Sequence, residues 1–166
     1  MAAARGAEPA PGMTLDESAR RLGRIVWFER RLFEVMGRWV PSTPEPSVKL
    51  MLARQSRHHG EHAAAVEVVL PETRDHDPTA LVAPADPASA DRFEETGGRV
   101  GTDERLRGLV DELLPDQLAA CEAFLADASP VRDGPAIRAL IFVLAEERAE
   151  LTDLASLRDT LPDLDA

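Results

Sequence analysis

Four stretches of this chain repeat their apolar residues at the helical interval, and the gaps between them run short, long, short. No other feature limits the fold as much. In the first stretch, about 14–40, the stripe is Leu22, Ile25/Val26, Leu32/Phe33, Met36 and Val40. Thr14 followed by Glu17 is a capping-box signature at its start. The second, about 45–70, carries Val48, Met51/Leu52, Ala65/Val66 and Val69 before Pro71 stops it. The third, about 103–128, runs through Leu106, Leu109/Val110, Leu113/Leu114, Leu118, Cys121 and Leu125. Pro115 lies inside this pattern and predicts a kink or a split. The fourth, about 131–160, carries Ile137, Leu140/Ile141, Leu144, Leu151 and Leu154.

Proline-rich turns at 41–46 and 129–135 join the first two stretches and the last two. Such short links predict two antiparallel pairs. The 71–101 connection reads as irregular, with four prolines, a Gly97-Gly98 pair and room for one short helix near 88–95. A helix of ~26 residues is ~39 Å long, and a connection of this size can return along all of it. The expected fold is therefore all-α: a four-helix bundle with one long crossover between helices 2 and 3, occupying residues 14–160 as a single domain. The alternative is a plain up-down bundle with an insertion. Residues 1–13, rich in Ala, Pro and Gly, read as a disordered tail.

Composition limits the function classes. The net charge of −11 disfavours phosphate backbones and anionic membranes, so neither nucleic acid nor membrane is expected as a partner. No apolar run approaches the ~20 residues of a membrane span. A single cysteine, Cys121, excludes an internal disulfide and fits a reducing, cytoplasmic setting. Cys121 reads as a small core residue, Trp27 and Trp39 as packing residues, and His76 in the long connection has no assigned role.

Polar residues break the stripes near the middle of every helix. Glu29 lies three residues after Val26 and three before Leu32. On the second stripe Gln55, His58/His59 and His62 stand where apolar residues belong. His59 and His62 are three apart, His58 and His62 four apart, and either pair shares one helical face. Glu122 follows Leu118 by four and precedes Leu125 by three. Glu147 lies three after Leu144 and four before Leu151, with Glu150 one turn on; Glu146 reads as facing a neighbouring side. A carboxylate among hydrocarbon is costly unless it is paired or metal-bound. Arg57 or Arg138 could neutralise Glu29; a transition metal held by acids and imidazoles is the other solution.

This layout resembles the ferritin-like superfamily of carboxylate-bridged dimetal bundles, whose pattern is Glu, Glu-x-x-His, a long crossing, Glu, and Glu-x-x-His. It is also similar to actinobacterial ferritin-like proteins with a His-rich second helix, a similarity that carries no activity. By resemblance Glu29 matches the first Glu and Glu122 the third-helix Glu. His59-Gly-Glu-His62 stands at the first Glu-x-x-His with His59 in place of its glutamate, and Glu147-Arg-Ala-Glu150 at the second with Glu150 in place of its histidine. The resemblance implies a metal site of Glu29, His59, His62, Glu122 and Glu147, with His58, Glu150 and Gln55 behind them. It implies one or two iron ions, or manganese, and an oxidase or oxygenase acting with dioxygen on a small apolar substrate that enters beneath the 71–101 segment. The competing expectation is a metal-free bundle serving as an interaction or regulatory module. A homodimer through an exposed helix face is a further expectation.

Overall fold

The computed structural model of the chain describes residues 13–71 and 77–161. The tail before Met13 and His76 lie outside the described residues. Met13, counted above with the tail, is buried in the core. Every regular element among the described residues is helical, and no strand occurs among them. Among the described residues no helix is long and apolar enough to cross a membrane.

Helix α1 spans Leu15–Trp39, and Thr14 caps it as its spacing predicts, Oγ1 accepting from the Glu17 amide at 3.2 Å. The reciprocal half of the box is absent, because the Glu17 carboxylate turns to Arg21 at 2.6 Å. A 3-10 turn, Val40–Ser42, ends α1, and the hydroxyl of Thr43 donates to the Trp39 carbonyl at 2.9 Å. Helix α2 spans Pro46–Glu67, with proline in its first turn, where no amide is needed. The two helices run antiparallel, since Arg30 reaches Glu67 and Ser56 donates to the Phe33 carbonyl at 2.8 Å. Gly37 against Ser56, and Gly60 against the Phe33 ring, let the backbones approach.

The 71–101 segment is more ordered than its composition suggests. Helix α3 is one turn, Pro78–Leu81, capped by Asp77, and helix α4 spans Pro87–Gly97, capped by Asp86. Both begin at a proline after an aspartate; α4 fills the place where the sequence left room for a short helix near 88–95, and Asp77-Pro78 starts a second helix where a loop was expected. Phe93 of α4 is fully buried, its ring 5.3 Å from that of Trp27 and 4.6 Å from that of Phe28, centre to centre. Arg31–Glu94 and Arg92–Asp116 ion pairs fasten the outer side of α4.

At α3 the backbone lies directly on α1. A Cβ added at Gly23 would sit 2.2 Å from the Leu81 carbonyl oxygen. Backbone cannot yield as a flexible side chain does. Gly23→Ala is therefore expected to cost about 1–3 kcal/mol in urea unfolding despite its better helix propensity. An unchanged midpoint would show that α3 does not press on α1.

Helix α5, Thr102–Arg107, passes into a π-helical turn, Gly108–Leu113, and then into α6, Leu114–Asp127. This turn is how the chain tolerates Pro115 without the predicted split. The Leu114 amide bonds to the Leu109 carbonyl five residues back, and the widened turn gives the proline ring room against the preceding carbonyls. Helix α7 spans Gly134–Thr160. Arg54–Asp153 and His58–Glu150 contacts set α7 antiparallel to α2, and Arg21–Asp127 and Glu29–Gln117 contacts set α6 antiparallel to α1.

The interior is divided in two. One apolar cluster gathers Leu22, Ile25, Val26, Val66, Phe124, Leu140 and Val143; the other gathers Leu32, Met36, Leu52, Leu109, Leu113 and Leu154. Between them in sequence, on each of the four long helical runs, stands a buried polar residue.

Candidate metal centre

That polar layer follows from helical arithmetic. Glu29 lies one turn from Val26 and from Leu32, both fully buried, so its carboxylate is carried inside with them. Seven residues separate His59 from Leu52 and seven from Val66, and all three are fully buried. His62 follows on the same face, and Glu147 continues the line of Val143 and Leu144 on α7. All four side chains are buried. One ligand atom from each lies within 4.8 Å of the others, and this group could hold a metal ion.

The contacts are specific. His59 Nδ1 is 2.7 Å from Glu29 Oε2 and 3.9 Å from Glu147 Oε1. His62 Nδ1 is 3.6 Å from the same Glu29 oxygen. The far nitrogens of both rings face carboxylates of α7: His62 Nε2 is 2.8 Å from Glu146 Oε2, and His59 Nε2 is 3.6 Å from Glu150 Oε2. An N–H directed to a carboxylate on one side leaves the opposite nitrogen's lone pair for a metal. Glu150 also takes His58 Nδ1 at 2.6 Å, and Gln117 Nε2 donates to Glu29 Oε1 at 2.8 Å.

Charge in this layer is redistributed by burial and by its neighbours. Burial alone would raise the Glu29 carboxyl, but the His59 charge and hydrogen bonds from the two imidazoles outweigh it and hold Glu29 far below the usual carboxylate range. Burial, then the Glu29 charge, pushes Glu147 well above its ordinary value. Burial disfavours the His62 cation, yet the Glu29 carboxylate and Glu146 more than offset this and raise it to about 9. At neutral pH the metal-free layer thus keeps a proton on His62, burial favours the protonated form of Glu147, and a cation would take the place of such protons.

Whether these residues suit a metal can be judged from what the protein leaves unpaired. Among the described residues the buried side-chain polar atoms without a hydrogen-bond partner are Gln55 Oε1, His59 Nε2, His62 Nδ1, Gln117 Oε1, both Glu147 oxygens and Glu150 Oε2. All belong to this one layer. Native interiors carry few such atoms, and their collection in one place points to a ligand. Two imidazoles and two carboxylates suit a borderline divalent transition metal. The residues fit.

Glu122 is not part of the centre. Its side chain is 52% exposed and pairs with Arg148 at 2.6 Å. Leu118 and Leu125, which suggested its phase, lie half-buried at the edge of the stripe, while the buried line runs Leu114, Gln117, Cys121, Phe124. Glu122 is one residue, ~100°, beyond Cys121 and faces outward. Gln117 takes the inward place on α6 and was overlooked; it is a polar residue three after Leu114 and four before Cys121, which was the available signal. Glu146, read as facing a neighbouring side, meets His62 instead, because that contact depends on how α2 and α7 rotate against each other. Gln55, His58 and Glu150 border the centre, His58 with a partly exposed side chain. Arg57 and Arg138 are exposed, so the counter-charge of Glu29 is imidazole. Cys121 is fully buried, and burial pushes its thiol far up, which leaves it a core residue.

No family model matches the sequence, and no curated protein or solved structure is similar to it.

Proposed function

We propose that this protein is a ferritin-like metalloprotein that holds a single iron or manganese ion on Glu29, His59, His62 and Glu147 and works as a non-haem oxidoreductase with dioxygen. The observation that carries the proposal is the meeting of four buried ligand atoms within 4.8 Å, ringed by unpaired polar atoms. The helix directions support the ferritin-like frame. Helix α2 opposes α1 and α7, and α6 opposes α1, so α2 and α6 point the same way, which supports a connection between them that returns along the bundle.

One ion rather than two suits this donor set. Deprotonated Glu29 and Glu147 supply two negative charges and the imidazoles none, which balances one divalent cation. A second ion would need acids that a dimetal bundle places on its third helix, and here Gln117 occupies that level. A redox-active metal supplies one-electron exchange with dioxygen. The protein's own contributions are separable. Glu29 and Glu147 favour a higher positive charge at the centre. Glu146 holds the His62 ring by its far nitrogen, and Glu150 faces the far nitrogen of His59 at 3.6 Å. Gln117 fixes Glu29 by its amide, and the two apolar clusters exclude water. The metal-free alternative, an interaction module, leaves the seven unpaired buried atoms unexplained.

Metal analysis tests the proposal. Protein purified from cells supplied with iron and manganese is expected to carry close to one equivalent of one of them, and His62→Ala to carry almost none. Less than about a tenth of an equivalent of any transition metal in the wild type, unaffected by reconstitution, would overturn it.

A further inference from the structure

A groove of about 580 Å³ opens between α1, α4 and α6, within the size range of small-molecule sites. Ile25, Trp27, Phe28, Ala120 and Ala123 form its apolar part, beside a polar and charged rim. Gln117 also lines it. The same side chain is 1% exposed, donates to Glu29 Oε1 at 2.8 Å, and keeps Oε1 without a partner. One buried amide thus separates the groove from the metal centre.

The charges on the rim are unequal in their availability. Arg21 is held by Glu17 and Asp127, and Arg92 by Asp116. Asp86 turns one carboxylate oxygen, Oδ1, to both the amide and the hydroxyl of Ser89 at the start of α4. Arg24 also lines the groove and is exposed. It feels the charge of Asp86, but among the described residues it has no hydrogen-bonded acid. A guanidinium at the mouth of an apolar groove matches a carboxylate with a hydrocarbon body.

We propose that this groove binds a small aliphatic carboxylic acid, its chain against Trp27, Phe28 and Ala120 and its carboxylate on Arg24, as the substrate class of the adjoining metal centre. The binding itself is independent of the metal; only the link to the centre, through Gln117, rests on the function proposed above.

Calorimetry with octanoate, octanol and octylamine on the full chain tests the assignment, and cobalt(II) absorption provides the second readout. Octanoate is expected to bind more tightly than about 1 mM, and octylamine not to bind. Arg24→Glu should weaken octanoate at least ~10-fold while leaving octanol unchanged. Ala120→Trp should weaken both, and octanoate should alter the cobalt(II) spectrum of the wild type. No octanoate binding, equal binding of octylamine, or an affinity untouched by Ala120→Trp would overturn the site. Absence of cobalt binding with octanoate binding intact would overturn the metal centre and leave the groove standing. Cobalt binding with a spectrum indifferent to bound octanoate would overturn the substrate link.

Discussion

His59→Ala is expected to abolish stoichiometric metal binding and to destabilise the metal-free protein by about 3–5 kcal/mol. The reason lies in Glu29. Its Oε2 has the His59 ring nitrogen at 2.7 Å, and both side chains are fully buried. Removing the imidazole leaves an ionised carboxylate in hydrocarbon beside a second acid, Glu147. Urea unfolding in the presence of a chelator measures the loss. Glu147→Gln separates binding from folding. Burial and the Glu29 charge push the Glu147 carboxyl upward and favour its protonated form in the metal-free layer, and the amide mimics that neutral form. That variant is expected to unfold within about 1 kcal/mol of wild type yet to bind metal at least ~100-fold more weakly, because a ligand must be deprotonated to coordinate. Glu122→Ala, on the exposed side of α6, should change neither. A full equivalent of metal on His59→Ala, or undiminished affinity in Glu147→Gln, would end the case for the centre.

The second large effect is on pH dependence. The His62 imidazole is raised from 6.5 to about 9 in the folded protein. In that interval the folded state binds a proton that the unfolded state has released. The stabilisation is therefore complete below about pH 6.5 and is lost as the pH climbs through 9. Its ceiling is about 3 kcal/mol. Glu147, also raised, acts in the same direction from a lower pH. A metal reverses the trend, since it binds the deprotonated forms. With a chelator the melting temperature should fall across pH 6.5–9, while the increment gained from added manganese should grow across the same range. A metal increment that shrinks with rising pH would contradict the assignment of His62 as both proton holder and ligand.

Most of the frame can be read in the chain because long amphipathic helices repeat their stripe several times, and a single misplaced residue does not hide it. The stripes of α1 and α7 carry Glu29 and Glu147 at inward positions flanked by buried residues on both sides, so these two acids were legible. Of the paired histidines His59 proved inward, a choice the i,i+3 relation to His62 allowed but did not force. On α6 the stripe is shorter, contains a proline and a π turn, and is bordered by half-buried Leu118 and Leu125. There the phase slipped by one residue, enough to exchange Gln117 for Glu122. In the 71–101 segment the short helix near 88–95 was legible and is α4, but α3 was not, for a different reason. The segment's helices are started by Asp77-Pro78 and Asp86-Pro87 rather than by a long stripe, and α4 shows its single anchor, Phe93, only once Trp27 and Phe28 are beside it.

The polar layer between the two apolar clusters also acts as a key for helix alignment. Stripes of leucine, valine and alanine are nearly interchangeable from one turn to the next, and greasy rods of this kind can slide by ~5.4 Å with little penalty. Here a one-turn slip of α2 would carry His59 away from Glu29 and set His62 against hydrocarbon. Only one vertical alignment of the helices pairs every charge. Filling the layer with apolar residues would then yield a bundle that is sturdier yet less uniform, with several staggered packings in place of one.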